Sequence, residues 1–159
     1  MEELIKEQKN ALISLCDRLN ERKVAAKIED SGDITMLTVF LPGAPEGTEL
    51  FTDICFFPQE ERMGQVSFCN MRTEIRDLSG IGIEEINDYC RKVSELNATL
   101  PIGGYGTELS DDETQLKRLL FTATVPIVPT IKGDKLTDTV EDTLALVVQT
   151  ISETAAELL

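Results

Sequence analysis

The strongest nucleophiles in the chain are four cysteines, Cys16, Cys55, Cys69 and Cys90, because its 159 residues contain no histidine to activate a serine or threonine. They are spaced too widely for a C-x-x-C redox or zinc motif. One pair invites a geometric reading. If the strands over 50–57 and 65–72 form a hairpin that sets Phe56 opposite Phe68, Cys55 falls opposite Cys69 on the same face. A redox-sensitive cross-strand disulfide is the functional version of that contact. Two neighbouring buried thiols in an apolar layer, reduced in a reducing compartment, are the plainer version and the one expected. Gly103, Gly104 and Gly106 bring backbone N–H groups close together, as a phosphate cradle does. A P-loop, however, needs G-x-x-x-x-G-K-[ST], and neither Lys nor Ser/Thr follows in that register. A bulged strand with close backbone approach is expected instead. Gly80 and Gly82 do not extend to G-x-G-x-x-G and read as a helix entry.

The acidic groups fare no better as ligands. Asp111, Asp112 and Glu113 are oxygen donors suited to Ca²⁺ or Mg²⁺, but such ions take six or more converging oxygens, and three adjacent acids in a loop read as a solvated turn. Asp134, Asp138, Glu141 and Asp142 crowd the start of the last helical segment, where the helix dipole favours negative charge. Without histidine or a G-x-S-x-G elbow there is no activated hydroxyl. The chain is therefore expected to be no enzyme, with no catalytic, cofactor-binding or metal-binding residue.

Charge narrows the partners. The 29 Asp and Glu against 15 Lys and Arg give a formal net charge of −14, and no basic patch interrupts it. Phosphate backbones and anionic lipid surfaces are bound through clustered Lys and Arg, so neither nucleic acid nor a membrane is an expected partner. At 42% hydrophobic residues the chain can fold despite its charge. Its length suits one domain, residues 1–159. The opening Met1-Glu2-Glu3-Leu4-Ile5-Lys6-Glu7 lacks the basic and apolar regions of a signal peptide, and a cytoplasmic location is expected.

The elements that must position these residues follow from periodicity. Leu4, Ile5, Ala11, Leu12, Leu15, Cys16 and Leu19 predict an amphipathic helix over 2–22. Turn residues over 29–33 precede a β-branched run, 34–41, stopped by Pro42; 50–57 and 65–72 follow as a second and third strand. Ile86, Tyr89, Cys90, Val93 and Leu96 mark a helix over 83–97. A glycine-rich, weak or bulged strand is expected over 100–109, a fifth strand over 116–127, and a long helix from Lys132-Gly133-Asp134 with a stripe through Leu136, Val140, Leu144, Val147 and Ile151. The order α-β-β-β-α-β-β-α does not alternate strand with helix. It implies an α+β domain with a five-stranded, mainly antiparallel sheet packed by helices. The second strand is apolar on both faces, Ile54 and Phe56 on one and Phe51, Cys55 and Phe57 on the other. A face left to water should read polar. Either helices cover both faces or a second copy of the chain covers one, and the homodimer is the favoured expectation.

This element order, with the Gly-Asp-Ile-Thr entry at Gly32 to Thr35 and a helix ending in Leu96-Asn97 before Gly103, Gly104, Tyr105 and Gly106, resembles the type III secretion chaperone-like fold. Within that fold it is similar to the YbjN-type proteins, described as sensory-transduction regulators. The resemblance spans nearly the whole chain and implies a cytoplasmic, non-catalytic homodimer that binds another polypeptide. It transfers no catalytic or ligand-binding residue. The residues expected at a partner or dimer surface are Phe51, Cys55, Phe57, Met71, Tyr89 and Tyr105. The alternative is a small-molecule-sensing or adaptor module whose ligand sits between sheet and helix, with Tyr89 or Tyr105 as its polar handle.

Overall fold

The computed structural model describes residues 2–32, 34–42, 49–57, 66–112 and 115–158. In chain order these form α1 (Glu2–Glu21), β1 (Ala26–Asp30), β2 (Thr35–Pro42), β3 (Glu49–Phe57), β4 (Ser67–Asp77), α2 (Ile83–Asn97), β5 (Gly104–Leu109), β6 (Leu116–Ile127) and α3 (Asp134–Thr154), closed by a 3-10 turn, Ala155–Leu158. The strands make one sheet in the order β1-β2-β3-β4-β6-β5, antiparallel throughout. The α+β class and the three helices agree with the sequence reading. The sheet has six strands rather than five, because Ala26–Asp30 forms an edge strand whose only apolar residues are Ala26 and Ile28.

Burial alternates strictly along the central strands. Thr52, Ile54 and Phe56 of β3 are buried, as are Cys69, Met71 and Thr73 of β4 and Phe121 and Ala123 of β6. These side chains join one hydrophobic core with Leu12, Leu15 and Leu19 of α1, Val93 and Leu96 of α2, and Leu136, Val140, Leu144, Val147 and Ile151 of α3. One face of the sheet is thus covered by helices and the other, the open face, carries no helix among the described residues, the arrangement an antiparallel sheet tolerates. Arg18 of α1 and Arg22, just past its end, lock it to α3: Arg18 donates to Asp138 at 2.7 Å and to Glu141 at 3.1 Å, and Arg22 also pairs with Glu141. Asp138 and Glu141 therefore tie two helices together, while Gly133 begins α3 with no side-chain cap.

Both edges of the sheet are tied off in the same way. Asn20 of α1 accepts from the Ala26 N–H at 3.1 Å and donates to the Ala26 carbonyl at 3.0 Å. Asn97, the last residue of α2, accepts from the Tyr105 N–H at 2.7 Å and donates to its carbonyl at 2.8 Å. Each side-chain amide thus occupies the hydrogen-bonding positions that a further strand would use. Gly103, which precedes β5, has φ 65°. A Cβ there would lie 2.7 Å from the Thr122 carbonyl and 2.9 Å from the Phe121 ring, so the glycine permits the expected close approach.

The β3–β4 register differs by one residue from the sequence expectation. Phe56 pairs with Cys69 and Cys55 with Asn70. A one-residue slip sends a side chain to the other face. Cys69 therefore enters the core while Cys55 points to the open face, and the expected same-face contact does not form.

Candidate functional site

The open face of the sheet follows from the register. In β1 it carries Lys27 and Glu29; in β2, Met36, Thr38 and Phe40; in β3, Glu49, Phe51, Asp53, Cys55 and Phe57; in β4, Phe68, Asn70, Arg72 and Glu74. β6 adds Leu120, Thr122, Thr124 and, opposite Phe68, Pro126, and β5 adds Gly104, Gly106 and Glu108. The face divides into two halves. Over β2, β3 and the start of β4 it is aromatic and aliphatic: the Phe40 and Phe51 rings meet edge to face with centroids 5.2 Å apart, and Phe51 and Phe57 are 43% and 47% exposed. Over β4, β6 and β5 it is mostly polar and internally paired. Arg72 donates to Glu108 at 3.2 Å, Arg118 donates to Glu74 at 2.8 Å and also pairs with Glu108, and Asn70 donates to Thr124 at 2.9 Å.

The residues expected at a contact surface separate accordingly. Phe51, Cys55 and Phe57 lie together on the open face, as the alternation within that strand implied. Met71 is 0% exposed and Tyr105 is 4% exposed, so both belong to the core and leave the candidate set. Met71 moved because of the register; Tyr105 faces inward, its ring edge to face with Phe121 and its hydroxyl 2.7 Å from that of Thr154. Tyr89 is half-buried on α2 and donates to the Leu158 carbonyl at 3.1 Å, remote from the open face. Both tyrosine hydroxyls therefore hold the C-terminal segment, and neither stands free as a ligand handle between sheet and helix. Met36, Phe40 and Phe68 were missing from the sequence-derived set. The alternation within 34–41 carries the signal for the first two, since Leu37, Val39 and Leu41 take the opposite face.

Three of the thiols, Cys16, Cys55 and Cys69, are held in the protonated form by burial. Burial pushes the Cys69 thiol up to about 12, with a smaller contribution from nearby Cys55. Burial also raises Cys16 and Cys55, the latter further opposed by the Asp53 carboxylate. A thiol needs its thiolate form to attack or to ligate, and raised values withhold it at neutral pH. Among the described residues no group of three or more Cys, Asp or Glu side chains converges as a metal site; Glu113 lies outside them. An open cleft of about 380 Å³ lies between α2 and the 3-10 turn, lined by Lys92, Glu95, Leu96, Thr99, Glu157 and Leu158. No helix in the described residues is long and apolar enough to cross a membrane.

No protein-family model matches the chain, and no curated protein matches it. Solved structures do share its architecture. An uncharacterized protein from Methanothermobacter thermautotrophicus superimposes with a TM-score of 0.50 at 14% identity, over 93% of this chain and 96% of that one. YbjN from E. coli, a proposed transcription regulator, superimposes with a TM-score of 0.48 at 14% identity, over 91% of each chain. At this identity the likeness concerns the fold alone.

Proposed function

We propose that the chain is a non-catalytic, cytoplasmic polypeptide-binding protein, regulatory or chaperone-like, that acts as a homodimer and uses the open face of its sheet for contact. One observation carries this reading: Met36, Phe40, Phe51, Cys55, Phe57 and Phe68 form an aromatic and aliphatic half-face to which no helix among the described residues is applied. Contiguous apolar surface of this kind on a folded chain marks an interaction site more often than chance exposure. Aromatic residues are also the ones that dominate contact energies. The proposed regulator role of YbjN and the type III secretion chaperone-like fold are both compatible with such a surface. The small-molecule alternative loses its motivation, because the two tyrosine hydroxyls that would orient a ligand are already bonded to Leu158 and Thr154.

Light scattering across a concentration series tests the dimer, and a strictly monomeric chain at high micromolar concentration contradicts it. Phe51→Asp tests the face. The variant is expected to fold normally, because the side chain is exposed, and to lose its polypeptide partner; full retention of that partner sinks the proposed surface.

A further inference from the structure

At the centre of the apolar half-face lies one carboxylate, Asp53; Glu49 stands at the start of the same strand, and Lys27 and Glu29, paired to each other, lie on the edge strand β1. Asp53 lies on β3 between Phe51 and Cys55, flanked in register by Thr38 on β2 and Arg72 on β4. Thr38 donates to its carboxylate at 2.7 Å, which fixes the group in place without neutralising it. Arg72, the nearest cation in register, is paired to Glu108 instead, and the second arginine of the face, Arg118, is shared between Glu74 and Glu108. Two arginines thus balance two glutamates in the polar half. Asp53 has no ion pair among the described residues and is set among phenylalanines.

An apolar segment that covered these phenylalanines would bury Asp53 with them, and burying an unpaired charge is strongly unfavourable. The occupant of this face must therefore bring a cation. A second copy of this chain brings no unpaired one among the described residues of the face: its Arg72, Arg118 and Lys27 are already paired to Glu108, Glu74 and Glu29, and it adds its own Asp53 and another −14 of net charge. Strand addition at the sheet's edges is opposed at Ala26 and Tyr105, whose outward groups Asn20 and Asn97 occupy. We infer that the open half-face docks a basic apolar segment of another protein, whose aromatic or aliphatic side chains lie on Phe40, Phe51, Phe57 and Phe68 and whose Lys or Arg pairs with Asp53. This deepens the polypeptide-binding reading and moves any homodimer contact to a different surface.

The test uses the full chain and two short synthetic peptides with the same apolar residues, one carrying Lys and Arg between them and the other Glu. Binding is measured by fluorescence anisotropy at low and high salt, with Asp53→Asn and Phe51→Ser as variants. Asparagine keeps the acceptor for Thr38, so the fold is preserved. The basic peptide is expected to bind and the acidic one to bind at least about tenfold more weakly. Asp53→Asn should lose about tenfold and most of the salt dependence, and Phe51→Ser should weaken both peptides alike. Equal binding of the two peptides, or an Asp53→Asn variant indistinguishable from the parent, overturns the inference while leaving polypeptide binding intact. Binding of neither peptide, with a dimer abolished by Phe51→Asp, also overturns it and assigns the face to a second copy. Binding of neither peptide and no dimer overturns this inference and the functional proposal together.

Discussion

Asn97 offers the sharpest test of how the fold closes its sheet. Its amide makes two hydrogen bonds to one residue of the edge strand, 2.7 Å from the Tyr105 N–H and 2.8 Å to the Tyr105 carbonyl, and Tyr105 is buried in the core. Asn97→Ala removes both partners at once. At a net ~1 kcal/mol for each hydrogen bond, the loss is about 2 kcal/mol, reduced by a few tenths because alanine is the better helix former. For a chain of this size about 2 kcal/mol lowers the melting temperature by about 4–8 °C. Asn97→Asp separates the two bonds. It keeps an acceptor for the Tyr105 N–H but sets a carboxylate oxygen against the Tyr105 carbonyl, so at neutral pH it should be at least as damaging as alanine, and acidification that protonates the carboxyl should recover part of the loss. Urea unfolding followed by far-UV circular dichroism gives the energies, and hydrogen exchange at the Tyr105 amide gives the location. An Asn97→Ala variant within about 0.5 kcal/mol of the parent, or unchanged exchange at Tyr105, refutes the clamp.

Other expectations follow from single contacts. Thr52 and Thr73 share a hydrogen bond of 2.7 Å between fully buried hydroxyls. Either Thr→Val change alone should cost about 1–3 kcal/mol by stranding the other hydroxyl, and the double change should cost clearly less than the sum in a urea double-mutant cycle; simple additivity contradicts this. Cys55 and Cys69 project from opposite faces, so the air-exposed protein should keep four free thiols by mass spectrometry, with exposed Cys90 the first to react with a thiol reagent and buried Cys16 and Cys69 reacting only on unfolding. A disulfide between Cys55 and Cys69 would be the wrong result for this register. Alkaline pH should destabilise the fold through Cys69. Below an ordinary value of 9.0 its thiol is neutral in both states, whereas between 9.0 and about 12 only the unfolded chain releases the proton. Stability therefore falls as pH rises through that window, by up to about 1.4 kcal/mol per pH unit from this group. Cys69→Ala should flatten the slope by about that amount, and an unchanged slope speaks against the burial.

The helices were legible because each carries its apolar stripe at three-and-four spacing, and the open face was legible within β3 because Phe51, Cys55 and Phe57 alternate with Ile54 and Phe56. What stayed hidden lies beyond single-strand patterning. The edge strand Ala26–Asp30 has five residues and reads as turn chemistry at its end, since an edge strand needs few apolar side chains and here takes its support from Asn20 and from β2. The β3–β4 register depends on the geometry of the connection between the strands, and a one-residue difference reassigned Met71 to the core and separated Cys55 from Cys69. Strand β4 also runs on to Asp77, past a register shift between Glu74 and Arg76, through residues too polar to read as strand. The partner of the Tyr105 hydroxyl, Thr154, lies on the last helix, and no local pattern announces a contact over that separation.

The account turns on the open face of β2, β3 and β4 being the contact surface. Amide and side-chain NMR shifts of the isotope-labelled chain, followed while a bound polypeptide is added and separately while the chain is diluted, locate that surface directly. Addition of polypeptide should move resonances of Met36, Phe40, Phe51, Asp53, Cys55, Phe57 and Phe68 together, leaving Met71 and Tyr105 in place. Shifts confined to the outer surfaces of α1 and α3, or to the cleft beside α2, would contradict it.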